Sequence, residues 1–122
     1  MNISIIIPSW NNQKYLQKCI ESIQLNSFFK HEIIVHLNEG TDGSKDYLDK
    51  IDIKYSKSNT NIGICSAVNL AYKKTKNNYI LYSNDDMYFA KNWDKDLDNK
   101  ISELNHNLFY ITAKTVSSKN DI

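Results

Sequence analysis

Along the chain, short apolar runs alternate with stretches in which apolar residues return every third or fourth position. Ile3 to Ile7 is a β-branched run closed by Pro8, which predicts a central strand that stops where proline removes a backbone donor. Leu16, Cys19, Ile20 and Ile23 predict a helix with one buried face, capped by Asn11 or Asn12. Glu32 to Leu37 predicts a second buried strand. It runs into Asn38-Glu39-Gly40-Thr41-Asp42-Gly43-Ser44, a loop whose glycines permit positive φ or close approach to a ligand. A short helical segment around Asp46 to Lys50 precedes Ile51, Ile53 and Tyr55, which alternate with polar residues as a half-solvated strand would.

Asn59-Thr60-Asn61 ends that unit, and Ile64, Cys65, Val68, Ala71 and Tyr72 predict an amphipathic helix. Asn77-Asn78 turns into a strand at 79–83, and Trp93, Leu97, Ile101 and Leu104 predict another helix, with Asp94 and Asp96 near its positive end. Leu108 to Thr112 is expected to be a last strand and Lys114 to Ile122 a frayed tail. Strands alternating with helices make a mostly parallel sheet covered on both faces, an α/β fold joined by right-handed crossovers.

The stretch Tyr79-Ile80-Leu81-Tyr82-Ser83-Asn84-Asp85-Asp86 carries the first candidate chemistry. A buried run ends there in an amide and two carboxylates, and open α/β sheets bind ligands outside the carboxyl ends of their strands. Two such carboxylates suit a hard divalent cation that also holds phosphate oxygens. Asn and Asp are also common turn and cap residues, so on this stretch alone a plain turn stands level with a metal site.

Composition narrows the classes. The 122 residues suit one small domain, and 15 basic against 14 acidic residues give no polyanion-binding surface. Every basic residue is a lysine, so no guanidinium clamp is available, and nucleic-acid binding has no support. Cys19 and Cys65 sit at apolar helix positions and are expected to be buried free thiols. The segment before Pro8 is too short and uncharged for a signal peptide. No apolar run reaches transmembrane length, so a cytoplasmic location is expected.

Ser4-Ile5-Ile6-Ile7-Pro8-Ser9-Trp10-Asn11, then Glu32-Ile33-Ile34-Val35 leading to Thr41-Asp42-Gly43-Ser44, then Asn61-Ile62-Gly63 before Ala67 and Asn69, and the run into the acidic cluster form an ordered set. Together they resemble glycosyltransferase family 2 over residues 3 to 112. The resemblance implies a GT-A fold, a Rossmann-like three-layer α/β/α arrangement with a mostly parallel sheet. It further implies transfer of a sugar, with inversion, from a nucleotide-diphosphate donor, expected to be a UDP-sugar, to a glycan or other hydroxyl acceptor, in glycan or polysaccharide synthesis. It would place Pro8, Ser9 and Asn11 at the nucleoside, and the 37–42 loop, with Asn38 and Asp42, at base and ribose. Asn61, Gly63, Asn69, Asn84 and Asp85 would lie along the rest of the nucleotide sugar, and Asp86 would meet a Mn²⁺ or Mg²⁺ ion.

Three positions depart from the family pattern. Asn84 stands where the first acid of the acidic motif usually is. Leu37 replaces an acid that contacts the base, with Asn38 next along, and Val68 replaces an arginine near the diphosphate. The reaction also needs a general base for the acceptor hydroxyl. In the family it comes from a downstream acceptor half, and no acid here is assigned to the role. Asp94, Asp96, Asp98 and Glu103 read as a solvated helix face or as charge compensation. The chain is therefore expected to be the nucleotide-sugar-binding half, with association with a missing acceptor half as an option and a non-catalytic binding module as the alternative. A phosphoacceptor receiver domain is disfavoured, because Pro8-Ser9-Trp10 stands where acids would be needed.

Smaller readings complete the set. His36, within a strand, is expected to be a packed or hydrogen-bonded imidazole, and His31 and His106 to be exposed. Trp10 either stacks on a base or rims the core, and Tyr82, Tyr88 and Phe89 are expected to pack.

Overall fold

The structure, a computed structural model, describes residues 1–117 as an unbroken alternation of strands and helices up to Ser102. The strands are β1 (Ile3–Trp10), β2 (Glu32–Asn38), β3 (Lys54–Ser58) and β4 (Tyr79–Tyr82). The helices are α1 (Gln13–Asn26), α2 (Ser44–Lys50), α3 (Gly63–Tyr72) and α4 (Trp93–Ser102). The four strands are parallel and lie side by side in the order β3-β2-β1-β4.

That order explains the layers. The chain steps outward from β1 through β2 to β3, then returns past β1 to β4. Right-handed crossovers put α1 and α2 on one face and α3 on the other. The larger core lies on the first face: Ile3, Ile5, Ile7, Ile33, Val35 and Leu37 of the sheet meet Leu16, Cys19, Ile20 and Ile23 of α1 and Leu48 of α2. The second core is small, with Ile6 and Ile34 against Ala71 and the half-buried Val68. Each of those isoleucines stabilises the fold by about 1.5–3 kcal/mol through burial, so truncating fully buried Ile5 or Ile6 to alanine would weaken it strongly.

Several expectations are corrected. β1 does not stop at Pro8 but continues to Trp10. The Ile6 carbonyl accepts from the Ser83 N–H at 3.0 Å, so alternate residues of β1 turn their peptide groups toward β4. Pro8 shares that orientation, but β4 has its last pairing at Tyr82 opposite Ile6, so the missing donor faces a vacant edge and costs little. Neither Asn11 nor Asn12 caps α1 with its side chain. Asp42 does so from another loop, its Oδ2 accepting the Gln13 N–H at 2.9 Å. β3 starts only at Lys54, and Ile51 and Ile53 pack on the core before it.

Cys65 is exposed, not buried, because α3 reaches the sheet only through Ala67, Ala71 and Val68. Leu108 to Thr112 forms no strand. Leu108 and Tyr110 are each 90% exposed, while the Phe109 ring lies 5.8 Å from that of Tyr79. Tyr88 is exposed rather than packed. The tail expected to fray lacks regular structure up to Ser117, and the remainder of it lies outside the described residues.

His31 and Asp94 are buried against each other, contrary to the expectation that His31 is exposed and that Asp94 belongs to a solvated face or compensates helix charge. Asp94 accepts from the Phe28 N–H at 2.9 Å, the Phe29 N–H at 2.7 Å and His31 Nε2 at 2.9 Å, clamping the start of α4 to the α1–β2 turn. Burial alone would raise its carboxyl, but these donors outweigh it and hold the group below its ordinary value.

The two sheet edges differ. β3 carries exposed Lys54 and Lys57, whereas β4 is Tyr-Ile-Leu-Tyr with Ile80 and Tyr82 exposed.

Candidate functional site

Strand order reverses between β1 and β4, and a crevice opens outside the carboxyl ends of strands at such a point. A cleft of about 440 Å³ lies there, lined by Pro8, Ser9, Trp10, Asn11, Asn12, Asn38, Asn61, Gly63, Ile64, Tyr82, Asn84, Asp85 and Asp86. Nine of the eleven residues singled out from sequence meet in it. Asp42 and Asn69 are not in its lining. A larger cavity of about 520 Å³, lined by residues such as Met1, Tyr79, Asp98 and Phe109, opens at the amino ends of the strands, away from both carboxylates.

The floor of the cleft is built from strand ends. Ser9, buried at the end of β1, donates its hydroxyl to Asp85 Oδ2 at 2.7 Å and so fixes the middle of the acidic turn. The turn is also held from beneath. The Ser83 hydroxyl donates to the Asn84 carbonyl at 2.9 Å, and the Cys19 thiol reaches the same oxygen at 3.6 Å. Burial pushes that thiol up to about 11, so it stays protonated and can donate. The Tyr82 hydroxyl donates to Asn84 Oδ1, which places Tyr82 in the site rather than in packing. Asp86 is exposed, and no hydrogen bond to another described group holds its carboxylate.

One wall comes from two interlocked loops. Asn11 adopts φ 44°, a left-handed conformation that asparagine tolerates. Its side chain accepts from the Thr41 N–H at 2.9 Å and donates to Thr41 Oγ1 at 3.0 Å. Asp42 caps α1 and also accepts from the Ser44 N–H and hydroxyl at 3.0 and 2.6 Å. Asn11 and Asp42 thus hold the β1–α1 and β2–α2 loops together. Gly43 beneath them adopts φ 96°, a left-handed conformation that glycine takes without the strain a side chain would bring.

The opposite wall begins at Asn38, whose Oδ1 accepts the Ile62 N–H at 2.9 Å. Leu37 points into the core and does not line the cleft, so Asn38 is the side chain that β2 presents there. Gly63 opens α3 at φ 79°, and nothing lies within 4 Å of where a Cβ would stand. Trp10 is 57% exposed and rims the cleft rather than the core. From sequence Asn12 is a candidate helix cap and Ile64 a helix-face position, and neither was singled out as a ligand residue. Both follow residues that were, so only the path of the two loops could have disclosed them.

Among the described residues no cluster of three His, Cys, Asp or Glu side chains could hold a metal by itself. Asp85 and Asp86 together suit an ion that takes one or two protein carboxylates and completes its shell with phosphate oxygens and water. The open space beside Gly63 suits the close approach of a ligand.

The family profile of glycosyl transferase family 2 matches residues 4–121. The chain belongs to that family. It is 28% identical over 126 residues to the Staphylococcus aureus poly(ribitol-phosphate) beta-N-acetylglucosaminyltransferase TarS, covering 98% of this chain and 22% of TarS. An uncharacterized glycosyltransferase of Rickettsia typhi is 30% identical over 139 residues, covering 96% of this chain and 42% of that protein. This family 2 chain thus spans less than half the length of these relatives. Among solved structures, TarS residues 1–349 in complex with UDP-GlcNAc superposes with a TM-score of 0.75 at 27% identity, over 84% of this chain and 32% of that one. A Pyrobaculum calidifontis mannosyltransferase in complex with GDP-Man and Mn²⁺ shares the fold, with a TM-score of 0.70 at 17% identity over 85% of this chain and 32% of that one. The architecture is the GT-A fold of these glycosyltransferases. No helix among the described residues is long and apolar enough to cross a membrane.

Proposed function

We propose that this chain is the donor-binding part of an inverting glycosyltransferase that takes a UDP-sugar together with Mn²⁺ or Mg²⁺ and serves transfer to a glycan or other hydroxyl acceptor. The observation that carries the reading is the meeting of Ser9, Asn38, Asn61, Gly63, Asp85 and Asp86 in one cleft at the strand-order reversal of a family 2 fold. The TarS complex with UDP-GlcNAc supports a uridine donor, and the mannosyltransferase complex supports the metal.

Each part of the cleft has work in this reading. Trp10, Asn38 and the Asn61–Gly63 turn enclose the nucleoside, with Asn11 and Asp42 acting through the loops they lock. Asp86, with Asp85 beside it, would hold the ion, which when bound neutralises the growing charge of the diphosphate leaving group. Asn84 presents an amide where a carboxylate would repel phosphate. Asn69 lies outside the cleft lining and would contact only a sugar extending beyond it.

The cleft holds no further carboxylate to act as base toward an acceptor. That favours a second reading, a nucleotide-sugar-binding module whose chemistry is completed by an acceptor half. Calorimetry with UDP and UDP-GlcNAc, each with and without Mn²⁺, tests the first reading, and product analysis with hydroxyl acceptors separates the two. Metal-dependent UDP binding with turnover supports transfer, binding without turnover supports the module, and no binding of either nucleotide in Mn²⁺ overturns both.

A further inference from the structure

We propose that buried His36 and half-buried Ser58 together are the positioning device for the cleft wall at residues 60–63, a role that rests on the donor-binding reading for its purpose but not for its test. His36 is fully buried on the α3 side of β2, and its ring nitrogens each face a serine hydroxyl of β3. Nδ1 lies 2.7 Å from Ser56 Oγ and Nε2 lies 3.0 Å from Ser58 Oγ.

The hydrogen-bond directions follow from counting protons. Ser58 Oγ is 2.7 Å from the Thr60 carbonyl and 3.3 Å from Asn38 Oδ1. A hydroxyl has one proton, and the shorter contact takes it. Ser58 must then accept from His36, which makes Nε2–H the donor and leaves Nδ1 to accept from Ser56. The relay runs one way, from the Ser56 hydroxyl through the neutral imidazole and the Ser58 hydroxyl to the Thr60 carbonyl. Burial lowers the proton affinity of the ring, which keeps it in this neutral form.

Beyond Thr60 the chain is held by side chains. The Ile62 N–H donates to Asn38 Oδ1 at 2.9 Å and the Gly63 N–H to Asn61 Oδ1 at 2.9 Å. The wall that carries Asn61 and Gly63 therefore hangs from polar groups rooted in the sheet. A polar chain anchored on a fully buried imidazole with both ring nitrogens partnered specifies one arrangement where a hydrophobic contact would tolerate several. The distance from this wall to Ser9 and Asp85 sets the width left for a nucleoside.

The test uses amide hydrogen exchange by NMR on the whole chain, comparing wild type with Ser58→Ala, His36→Phe and Ser58→Thr, alongside UDP affinity in Mn²⁺. Removing the relay should speed exchange at Ile62 and Gly63 by about two- to tenfold, the range for one lost hydrogen bond. The amides of Ile6 and Val35 should keep their rates. UDP binding should weaken by a similar factor, the double variant should do no worse than either single one, and Ser58→Thr, which keeps the hydroxyl, should retain protection. Unchanged exchange at Ile62 and Gly63 in both variants, or equal acceleration at Ile6 and Val35, overturns the proposal. If wild type binds no UDP while the exchange pattern appears, the wall device stands and the donor-binding reading falls.

Discussion

Ser9 and Asp85 lie 76 residues apart in the chain and are joined by a 2.7 Å hydrogen bond. That bond closes the crevice between β1 and the turn after β4, and it commits one carboxylate of the acidic pair to the fold. Asp86, exposed and without such a bond, is left for a ligand.

Ser9→Ala should cost about 1.5–3 kcal/mol of stability, the range for a hydrogen bond to a charged group. Urea unfolding measures it. The same variant should weaken UDP binding in Mn²⁺, since the turn carrying Asp86 loses its tie to β1. A variant as stable as wild type would show that Ser9 leaves the turn unconstrained.

Asp86→Asn should abolish most of the gain in UDP affinity that Mn²⁺ confers, with the fold intact, because its carboxylate supports no other described group. Asp85→Asn should lose less of that gain but more stability, through Ser9. Calorimetry with UDP and with uridine separates the metal-dependent part, since uridine lacks the phosphates that would share the ion. Equal Mn²⁺ dependence in wild type and Asp86→Asn would reduce the acidic pair to a turn.

Asn38→Ala should lower both nucleotide affinity and stability, the latter by about 0.5–1.5 kcal/mol. From sequence alone Asn38 is a ligand residue whose loss leaves melting unchanged, but its Oδ1 carries the Ile62 N–H. A thermal melt unchanged by the substitution would contradict that second duty.

The uninterrupted runs made the sheet legible. Ile3–Ile7 and Glu32–Leu37 are buried and paired on both sides, and hydrophobic pattern alone carries that information; Tyr79–Tyr82 has the same pattern but is an edge strand, paired only with β1 and half exposed, so its pattern told the strand and not its burial. The strand ends of the site were legible for the same reason, because a run that stops in Asn-Asp-Asp marks its own end. What pattern could not carry is partnership. Asp94 and His31 look solvated in sequence, yet they bury each other across 63 residues. Asn11 and Asp42 look like ligand contacts, yet their hydrogen bonds tie one loop to another. Leu108 to Thr112 has strand composition, but composition makes a strand only where an edge pairs with it.

Asp94→Ala should be among the most destabilising single changes. It strips the Phe28 and Phe29 amides and buried His31 of their shared acceptor at once, and each buried donor left unsatisfied costs about 1–3 kcal/mol. Urea unfolding of Asp94→Ala and Asp94→Asn checks it, with the asparagine losing less because it still accepts.

Stability should fall with acid in two stages. His36 has an ordinary value of 6.5 and is lowered by burial in the fold, so it binds protons more readily unfolded. Its contribution is intact above pH 6.5 and is lost as pH falls through the folded value. Asp94 has an ordinary value of 3.8 and is lowered in the fold, so its contribution is lost only below that pH. His36→Phe should remove the first stage and leave the second, as read from urea midpoints across a pH series.

The unlike edges of the sheet give the fold a sideways polarity. At β3 an approaching strand must bury two lysine charges, which is how sheets bar unwanted neighbours. At β4 it meets Ile80 and Tyr82 and no charge at all. The β4 edge thus lacks the charges that guard the β3 edge. That unguarded edge belongs to the strand that runs straight into the acidic turn, so the most open side of the sheet and the two carboxylates of the cleft adjoin.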